Sequence, residues 1–204
     1  MIEAWGIVVA GGLGSRFGGR KQFEHLGGEP LWEWARRALL NGGVAEVVTV
    51  GEMEGGVSPG PRRRDSVLSG LDRVPPNIQY LLVHDAARPL ASSQLVERVL
   101  SRLGRGDADG VVPAIPVRDA IKQVSGDKVL GSVDRAGLVV VQTPQGFVAE
   151  VLRRAHAETD LDAADDAEMV AEVGGSVVTV EGELTNLKVT YPEDLTLLEA
   201  IHAG

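Results

Sequence analysis

The sequence contains no cysteine, only four histidines and no long uncharged apolar run. Without cysteine there are no disulfide bonds, thiolate nucleophiles or cysteine zinc sites. The histidines are scattered without HxxxH-type spacing, which argues against a histidine-built metal site. No stretch approaches the roughly 20 apolar residues of a membrane helix, and the first residues lack the basic start of a secretory signal. We therefore expect a cytoplasmic protein with no membrane partner.

The composition predicts one compact globular domain over residues 1–204. Hydrophobic residues make up 44% and charged residues 24%, which provides for a sizeable core. The net charge of −9 is unevenly distributed, because residues 1–145 carry 17 basic and 16 acidic residues, whereas residues 146–204 carry 3 and 13. A duplex-binding protein normally has a basic face. We expect small anions, rather than a nucleic acid, at the short basic spots.

Alternating apolar patterns indicate an α/β fold with a largely parallel sheet. We predict strands at 4–10, 44–50, 109–117 and 176–180, and at 80–89 a strand that runs into a loop ending at Pro89. We predict helices at 30–43, 64–74, 92–104, 147–159, 163–173 and 191–204. Asp65 or Ser66 is the expected N-cap of the second helix, and Thr190 with Glu193 has capping-box spacing in the last. The segment 115–141 has short β-type runs around a turn and no helical face, which indicates a projecting β-arm.

The stretch after the first predicted strand combines glycines with cations. Glycine lets backbone N–H groups approach a phosphate without an intervening Cβ. Neither the P-loop nor the dinucleotide fingerprint fits, because no Gly-Lys-Ser/Thr follows Gly14 at the required spacing and Phe17 replaces the third fingerprint glycine. Three cations within six positions suit a nucleoside triphosphate: Arg16, Arg20 and Lys21. A flexible surface turn with solvated cations is the alternative.

Asp85 falls at the carboxyl end of an apolar strand, where ligands of open α/β sheets bind. A lone aspartate there can hold Mg²⁺ together with substrate phosphates, and Arg88 could bind a phosphate bidentately. The alternative is that Asp85 caps the next turn and Arg88 lies on the surface.

Three further clusters have two interpretations each. The run 62–64 is either an anion site beside a helix N-terminus or a solvated charged run, and for two of its three arginines we predict the solvated run. The polar stretch 142–147 suits reading a base edge or holding a loop. Lys188, in the acidic C-terminal part, is a salt-bridge partner unless a substrate phosphate meets it.

Taken in order, these clusters resemble the 2-C-methyl-D-erythritol 4-phosphate cytidylyltransferase family of the non-mevalonate isoprenoid pathway. The matching pieces are VVAGGLGSRFGGRKQF, RRRDSVLSGL, LLVHDAARP, PVRDAIK, VDRAGL, QTPQGF and NLKVTYPEDL. The resemblance implies a Rossmann-like nucleotidyltransferase fold, with helices on both faces of a twisted, mainly parallel sheet and a β-arm that clasps a second subunit. The implied reaction transfers CMP from CTP to the 4-phosphate of the substrate, requires Mg²⁺ and releases pyrophosphate.

The resemblance also implies roles for particular residues. Arg16 and Lys21 are expected to stabilise charge at the α-phosphate, and Lys188 to neutralise phosphate charge. Asp85 is expected near the metal, with Arg88 beside it. The remaining implied contacts are Arg135 from the arm with methylerythritol phosphate in the partner's active site, Ser66 with cytidine, and the nucleotide-binding loop residues Ala10, Gly11, Gly12 and Gly14.

Three alternatives stay open from the sequence. Because the glycine loop is shorter than in many relatives, Arg20 competes with Lys21 for its role. The acceptor could be another polyol phosphate such as ribitol 5-phosphate, since the CTP-handling loop would look alike. A non-catalytic nucleotide-binding protein on the same fold is the third, although such a protein has no need of all four of Arg16, Lys21, Asp85 and Lys188.

Overall fold

The computed structural model describes residues 3–203. In chain order its main elements are β1 (Ala4–Val9), β2 (His25–Leu26), β3 (Glu29–Pro30), α1 (Leu31–Asn41), β4 (Glu46–Val50), α2 (Arg63–Leu71), β5 (Tyr80–Asp85), α3 (Ser93–Leu103), β6 (Gly110–Pro116), β7 (Ile121–Ser125), β8 (Lys128–Val133), β9 (Val139–Val141), β10 (Gln145–Val148), α4 (Ala149–Glu158), α5 (Asp166–Glu172), β11 (Val177–Glu181) and α6 (Glu193–Ala203). The predicted alternation of strands and helices is confirmed.

The central sheet has seven strands in the order β11-β6-β10-β5-β1-β4, with β9 pairing on β6. The pairs β1–β4, β1–β5 and β11–β6 are parallel, whereas β10 and β9 run antiparallel to their neighbours. The α/β class with a mainly parallel sheet is therefore confirmed, with two antiparallel strands that the sequence pattern did not reveal.

Two apolar clusters cover the two faces of the sheet. Successive strand residues point to opposite faces, so Leu81 and Val83 of β5 pack with α2, α4 and α5, while Leu82 packs with α1 and α3. The same alternation places Asp85 on the α2 face and His84 on the other. Helices on both faces are thus confirmed, and the register of one strand determines which helices surround Asp85.

The segment 115–141 forms a hairpin attached to the C-terminal end of β6. β7 and β8 pair antiparallel through a two-residue turn in which Gly126 has a φ of +59°. At the two ends of the segment, Ala114–Pro116 pairs with Val139–Val141, which anchors the hairpin to the main sheet. The hairpin carries exposed apolar side chains, among them Val124, Val129 and Leu130.

Several predicted helix boundaries are wrong. The N-cap of α2 is Arg62, not Asp65 or Ser66, and Asp65 instead accepts a hydrogen bond from the Arg62 backbone N–H at 3.1 Å. At the start of α6, Asp194 rather than Glu193 accepts from the Thr190 backbone, at 2.7 Å.

The helices predicted at 147–159 and 163–173 begin later, at Ala149 and Asp166. Phe147 belongs to β10, where it is fully buried in the core between β5 and β6. Across residues 3–203, none of the helices combines the length and apolar character needed to span a bilayer.

Candidate active site

A cleft of about 410 Å³ opens at the carboxyl ends of β1 and β5, a volume typical of small-molecule sites, about 300–1,000 Å³. Its wall includes Ala10, Gly11, Gly12, Arg16, Lys21, Ser66, Asp85 and Lys188. Eight of the eleven residues predicted for the site therefore share one cleft. This is the edge of an open α/β sheet at which ligands bind.

The glycine loop forms one side of the cleft, and close approach explains its composition. A Cβ on Gly11 would lie 2.2 Å from the Cβ of Pro59, so any larger residue would displace the loop that carries Pro59. Gly14 has a φ of +65°, and the Gly19 carbonyl oxygen lies where a Cβ on Gly14 would be. Gly14 therefore shapes the turn but does not line the cleft. Gly12 has open space around it and lies on the wall.

The wall is strongly cationic. Its basic side chains are Arg16, Arg20, Lys21, Arg62, Arg63 and Lys188, against the two carboxylates of Glu52 and Asp85. The pKa of Lys21 is lowered, mainly by burial and further by the charges of Lys188 and Arg16. Mutual repulsion of these cations raises the electrostatic free energy of the cleft, and a bound polyanion such as a triphosphate would offset that repulsion.

Lys21 and Arg20 have different surroundings. The Lys21 ammonium donates to the Val189 carbonyl inside the cleft, whereas Arg20 forms an exposed salt bridge with Glu52 at the rim. This difference favours Lys21, rather than Arg20, as the cation that meets the phosphates.

Asp85 lies at the centre of the charged wall. Its carboxylate accepts from Lys188 Nζ at 2.6 Å and from Arg63 Nε at 3.3 Å, so it does not cap the following turn. Burial raises the pKa of Asp85, but the charges of Arg63 and Lys188 outweigh burial and hold that pKa well below its usual range. The group is therefore a carboxylate at any pH near neutral.

The prediction that two of the three arginines in the run 62–64 are solvated is wrong. Arg64 has only 7% of its side chain exposed and donates to the carbonyls of Thr159 and His156. Arg63 bridges two carboxylates. The sequence could not show this, because the acceptors come from segments about 20 to 100 residues away.

Besides Gly14, two predicted site residues do not reach the cleft of their own chain. Arg88 donates to the carbonyls of Asn186 at 2.8 Å and Val141 at 3.3 Å, and so ties the strand end to the base of the arm. Arg135 lies on the arm, exposed, and donates to the Arg118 carbonyl. The Arg88 contacts are those of a residue that holds loops together.

The stretch 142–147 holds loops rather than lining the cleft. Gln142 Nε2 donates to the Glu183 carbonyl at 2.7 Å, and Asn186 Nδ2 donates to the Thr143 carbonyl at 2.9 Å. The Thr143 hydroxyl accepts from the Asp85 backbone N–H and lies 2.8 Å from His84 Nδ1. These buried contacts fix the segment carrying Lys188 against the strand carrying Asp85.

The buried His84 makes a testable contribution to stability. Burial lowers its pKa to about 4 from 6.5, so between these values the unfolded chain binds a proton that the native chain does not. Stability therefore falls as the pH drops through this window, by about 3 kcal/mol in total. His84→Asn keeps a hydrogen-bond acceptor for Thr143 but removes the titrating group. We expect the melting temperature of this variant to change less with pH between 6.5 and 4.5 than that of the wild type.

The exposed His25 supplies the control, because His25→Asn should leave the melting profile of the wild type unchanged. Asp85 and Asp166 also have lowered pKa values. The stability that these two carboxylates contribute is lost at lower pH, and it is lost equally in the wild type, His84→Asn and His25→Asn. A His84→Asn profile as steep as that of the wild type would contradict the assignment.

The residues present fit a divalent cation that arrives with a phosphate ligand. Mg²⁺ commonly takes one or two protein carboxylates plus phosphate oxygens and water, and Asp85 offers such a carboxylate among phosphate-binding cations. Nowhere in residues 3–203 do three or more His, Cys, Asp or Glu side chains cluster as a metal cage. Asp85 is the residue that could hold the metal.

Sequence reasoning missed a buried part of the site. Arg63 lies on the cleft wall and joins Asp85 to Asp166, which in turn contacts His156. The only signal was the RRRDSV stretch, which places Arg63 at a helix start but gives no indication of the side chains that α4 and α5 bring to it.

Comparison with known proteins agrees with the geometry. The family described as "IspD: 2-C-methyl-D-erythritol 4-phosphate cytidylyltransferase" matches residues 5–203. A relative from Rubrobacter xylanophilus with the name 2-C-methyl-D-erythritol 4-phosphate cytidylyltransferase is 40% identical, covering 100% of this chain and 96% of that protein. A protein from Oleidesulfovibrio alaskensis named bifunctional enzyme IspD/IspF is 41% identical over 98% of this chain. This chain spans 58% of that protein's length.

Solved structures give the same result. The 2-C-methyl-D-erythritol 4-phosphate cytidylyltransferase of Thermus thermophilus superposes with a TM-score of 0.83 at 35% identity, covering 97% of this chain and 98% of that one. The bifunctional IspDF of Campylobacter jejuni gives a TM-score of 0.83 at 28% identity over 97% of this chain and 54% of its own. The fold, the cationic cleft and these matches together show that the chain belongs to the 2-C-methyl-D-erythritol 4-phosphate cytidylyltransferase family.

Proposed function

We propose that this protein transfers CMP from CTP to 2-C-methyl-D-erythritol 4-phosphate, giving 4-diphosphocytidyl-2-C-methyl-D-erythritol and pyrophosphate. The observation that carries the proposal is the cleft with six cations around Asp85, built on the family's fold and motifs. The relatives that this chain covers almost completely have names stating that activity.

The chemistry needs charge neutralisation more than a protein nucleophile. The attacking group is a phosphate oxygen, which is already ionised at neutral pH. Two anions must be brought together, and the barrier falls when cations are positioned where negative charge develops. Arg16 and Lys21 would act at the α-phosphate of CTP, and Lys188 beside them.

Lys188 Nζ donates to the Asp85 carboxylate at 2.6 Å, so the two side chains hold each other in place at the cleft wall. A preorganised pair of this kind needs little rearrangement when the phosphates bind. The Lys188 ammonium can then exchange part of its contact with Asp85 for a phosphate oxygen.

The nucleoside would lie between the glycine loop and the start of α2. Ala10, Gly11 and Gly12 line this side of the cleft, opposite Pro59 and Ser66. The Ser66 hydroxyl is buried and contacts the Arg62 and Gly60 carbonyls at 3.2 and 3.4 Å, so it is held in place at the wall. We assign this side to cytidine.

We propose Mg²⁺ as the metal, held by Asp85 and the phosphates of CTP. When bound, it would neutralise phosphate charge and orient the triphosphate. Removal of divalent cations by EDTA should abolish turnover, and added Mg²⁺ should restore it. CTP and sugar phosphates are cytoplasmic metabolites, and we place the reaction there.

We also propose a homodimer in which the arm reaches the partner. The arm exposes Val124, Val129, Leu130, Val133 and Leu138, each with 39% or more of its surface accessible. Several large apolar side chains exposed on one hairpin favour an interaction site there. In a two-fold dimer each arm would bring its Arg135 to the other subunit's cleft.

The proposal is tested by pyrophosphate release from CTP and Mg²⁺ with three acceptor conditions: methylerythritol phosphate, ribitol 5-phosphate and none. We expect release with methylerythritol phosphate and background rates in the other two. Release only with ribitol 5-phosphate would keep the CTP site and overturn the acceptor. CTP binding without release under any condition would indicate a nucleotide-binding protein.

A further inference from the structure

A line of ionisable side chains runs from the interior of the protein to the cleft. His156 Nε2 lies 3.0 Å from Asp166 Oδ1, and Asp166 Oδ2 accepts from Arg63 Nη1 at 2.7 Å. Arg63 Nε then donates to Asp85 at 3.3 Å. α4, α5 and α2 thus each supply one member, and the line ends at the carboxylate in the middle of the cationic wall.

The inner end of the line is completely buried. The side chains of Asp166 and His156 are both 0% exposed. A buried carboxylate is costly unless it is paired and hydrogen-bonded, and each oxygen of Asp166 has its own partner. Burial raises the pKa of Asp166, but Arg63 and His156 outweigh it and lower that pKa.

Arg63 is constrained by this arrangement. Its planar guanidinium is held by Asp166 on one side and Asp85 on the other, so neither end can rotate independently. Asp166 does not line the cleft, whereas Arg63 and Asp85 do. Any influence of Asp166 on a bound ligand must therefore pass through Arg63.

We propose that Asp166 is a positioning residue for the transfer step, which through Arg63 sets the orientation of the Asp85 carboxylate at the cleft. The assignment rests on the proposed function. Groups that orient a site carboxylate from behind typically contribute about 10–100-fold to activity, and Asp166 occupies that position relative to Asp85.

The test is a double-mutant cycle on kcat/KM for pyrophosphate release, with Asp166→Asn, Arg63→Gln and the two combined. Each single variant should lose about 10–100-fold. Because Asp166 acts only through Arg63, the double variant should be within about threefold of Arg63→Gln. For Asp166→Asn the loss should fall mainly on kcat, since Asp166 does not contact the substrates.

Melting temperatures separate positioning from folding. Asp166→Asn removes one of the two buried carboxylates that pair with Arg63 and should melt below the wild type, whereas the charge-balanced double variant should recover part of that loss. Activity should not recover with it. The control is Asp107→Asn, which removes a carboxylate paired with Arg102 far from the cleft and should keep wild-type kcat/KM.

Three results would overturn the assignment: wild-type kcat/KM in Asp166→Asn, a double variant more than about threefold below Arg63→Gln, or unfolding of both Asp166 variants while Arg63→Gln folds. The last would show that Asp166 serves the fold alone. An inactive wild type would instead count against the proposed function, and the two failures are therefore distinguishable.

Discussion

Lys21→Met is expected to lower kcat for CMP transfer by about 10²–10³-fold, the loss typical of removing one stabiliser of transition-state charge, while the folded protein keeps or gains stability. The expected retention or gain of stability follows from the electrostatics around Lys21. Lys21 is partly desolvated and lies near Lys188 and Arg16, which lower its pKa. Methionine fills similar space without that repulsion.

The measurement is kcat and KM for pyrophosphate release, together with the melting temperature of each protein. Arg20→Met is the matched control, because Arg20 carries the same charge one residue away but pairs with Glu52 at the rim. Arg20→Met should lower kcat by less than about tenfold, as expected for the loss of an exposed ion pair. A loss in Arg20→Met equal to that in Lys21→Met would transfer the role to Arg20.

Arg135→Ala is expected to be nearly inactive with methylerythritol phosphate, yet to bind CTP almost as the wild type does. Arg135 is exposed on the arm and absent from the wall of its own cleft, and in the proposed dimer it would act in the cleft of the second subunit. Its removal leaves the CTP-binding loop of each chain unchanged. CTP affinity by calorimetry and turnover by pyrophosphate release give the two quantities.

Mixing two inactive proteins tests whether the arm acts between subunits. Half of the random dimers formed from Arg135→Ala and Lys21→Met chains contain one intact site, since a two-fold interface places both defects in the other site. The mixture should therefore recover about a quarter of wild-type activity. No recovery after verified subunit exchange, or equal loss of CTP binding and turnover in Arg135→Ala, would contradict a role in the partner.

Local sequence signals predicted the parts of the fold that local physics determines. Ser92 caps α3, with its hydroxyl accepting from Leu95 N–H, and Gly42 follows α1 as expected. The antiparallel strand β10 was missed because Phe147 and its neighbours are a short apolar run that periodicity cannot assign. Its pairing with β5 and β6 across the chain decides the outcome.

In the candidate site, too, local sequence signals predicted the residues at strand ends but not the contacts between distant segments. The residues beside their strands, such as Gly11 and Asp85, were found from their position at strand ends. For Arg63 the sequence left an anion site and a solvated charged run open, because the two carboxylates that pair with it come from segments 22 and 103 residues away. For Arg88 the spacing left a phosphate contact and a surface position open, and in the fold its guanidinium donates to the carbonyls of Asn186 and Val141.

The most direct test of the account is phosphorus NMR of the reaction of CTP, Mg²⁺ and methylerythritol 4-phosphate. Transfer of CMP predicts two mutually coupled diphosphate resonances from the new P–O–P bond, in an amount equal to the pyrophosphate released. Appearance of CMP with unchanged methylerythritol phosphate would show hydrolysis instead of transfer. That result would contradict the assignment of this cationic cleft to cytidylyl transfer.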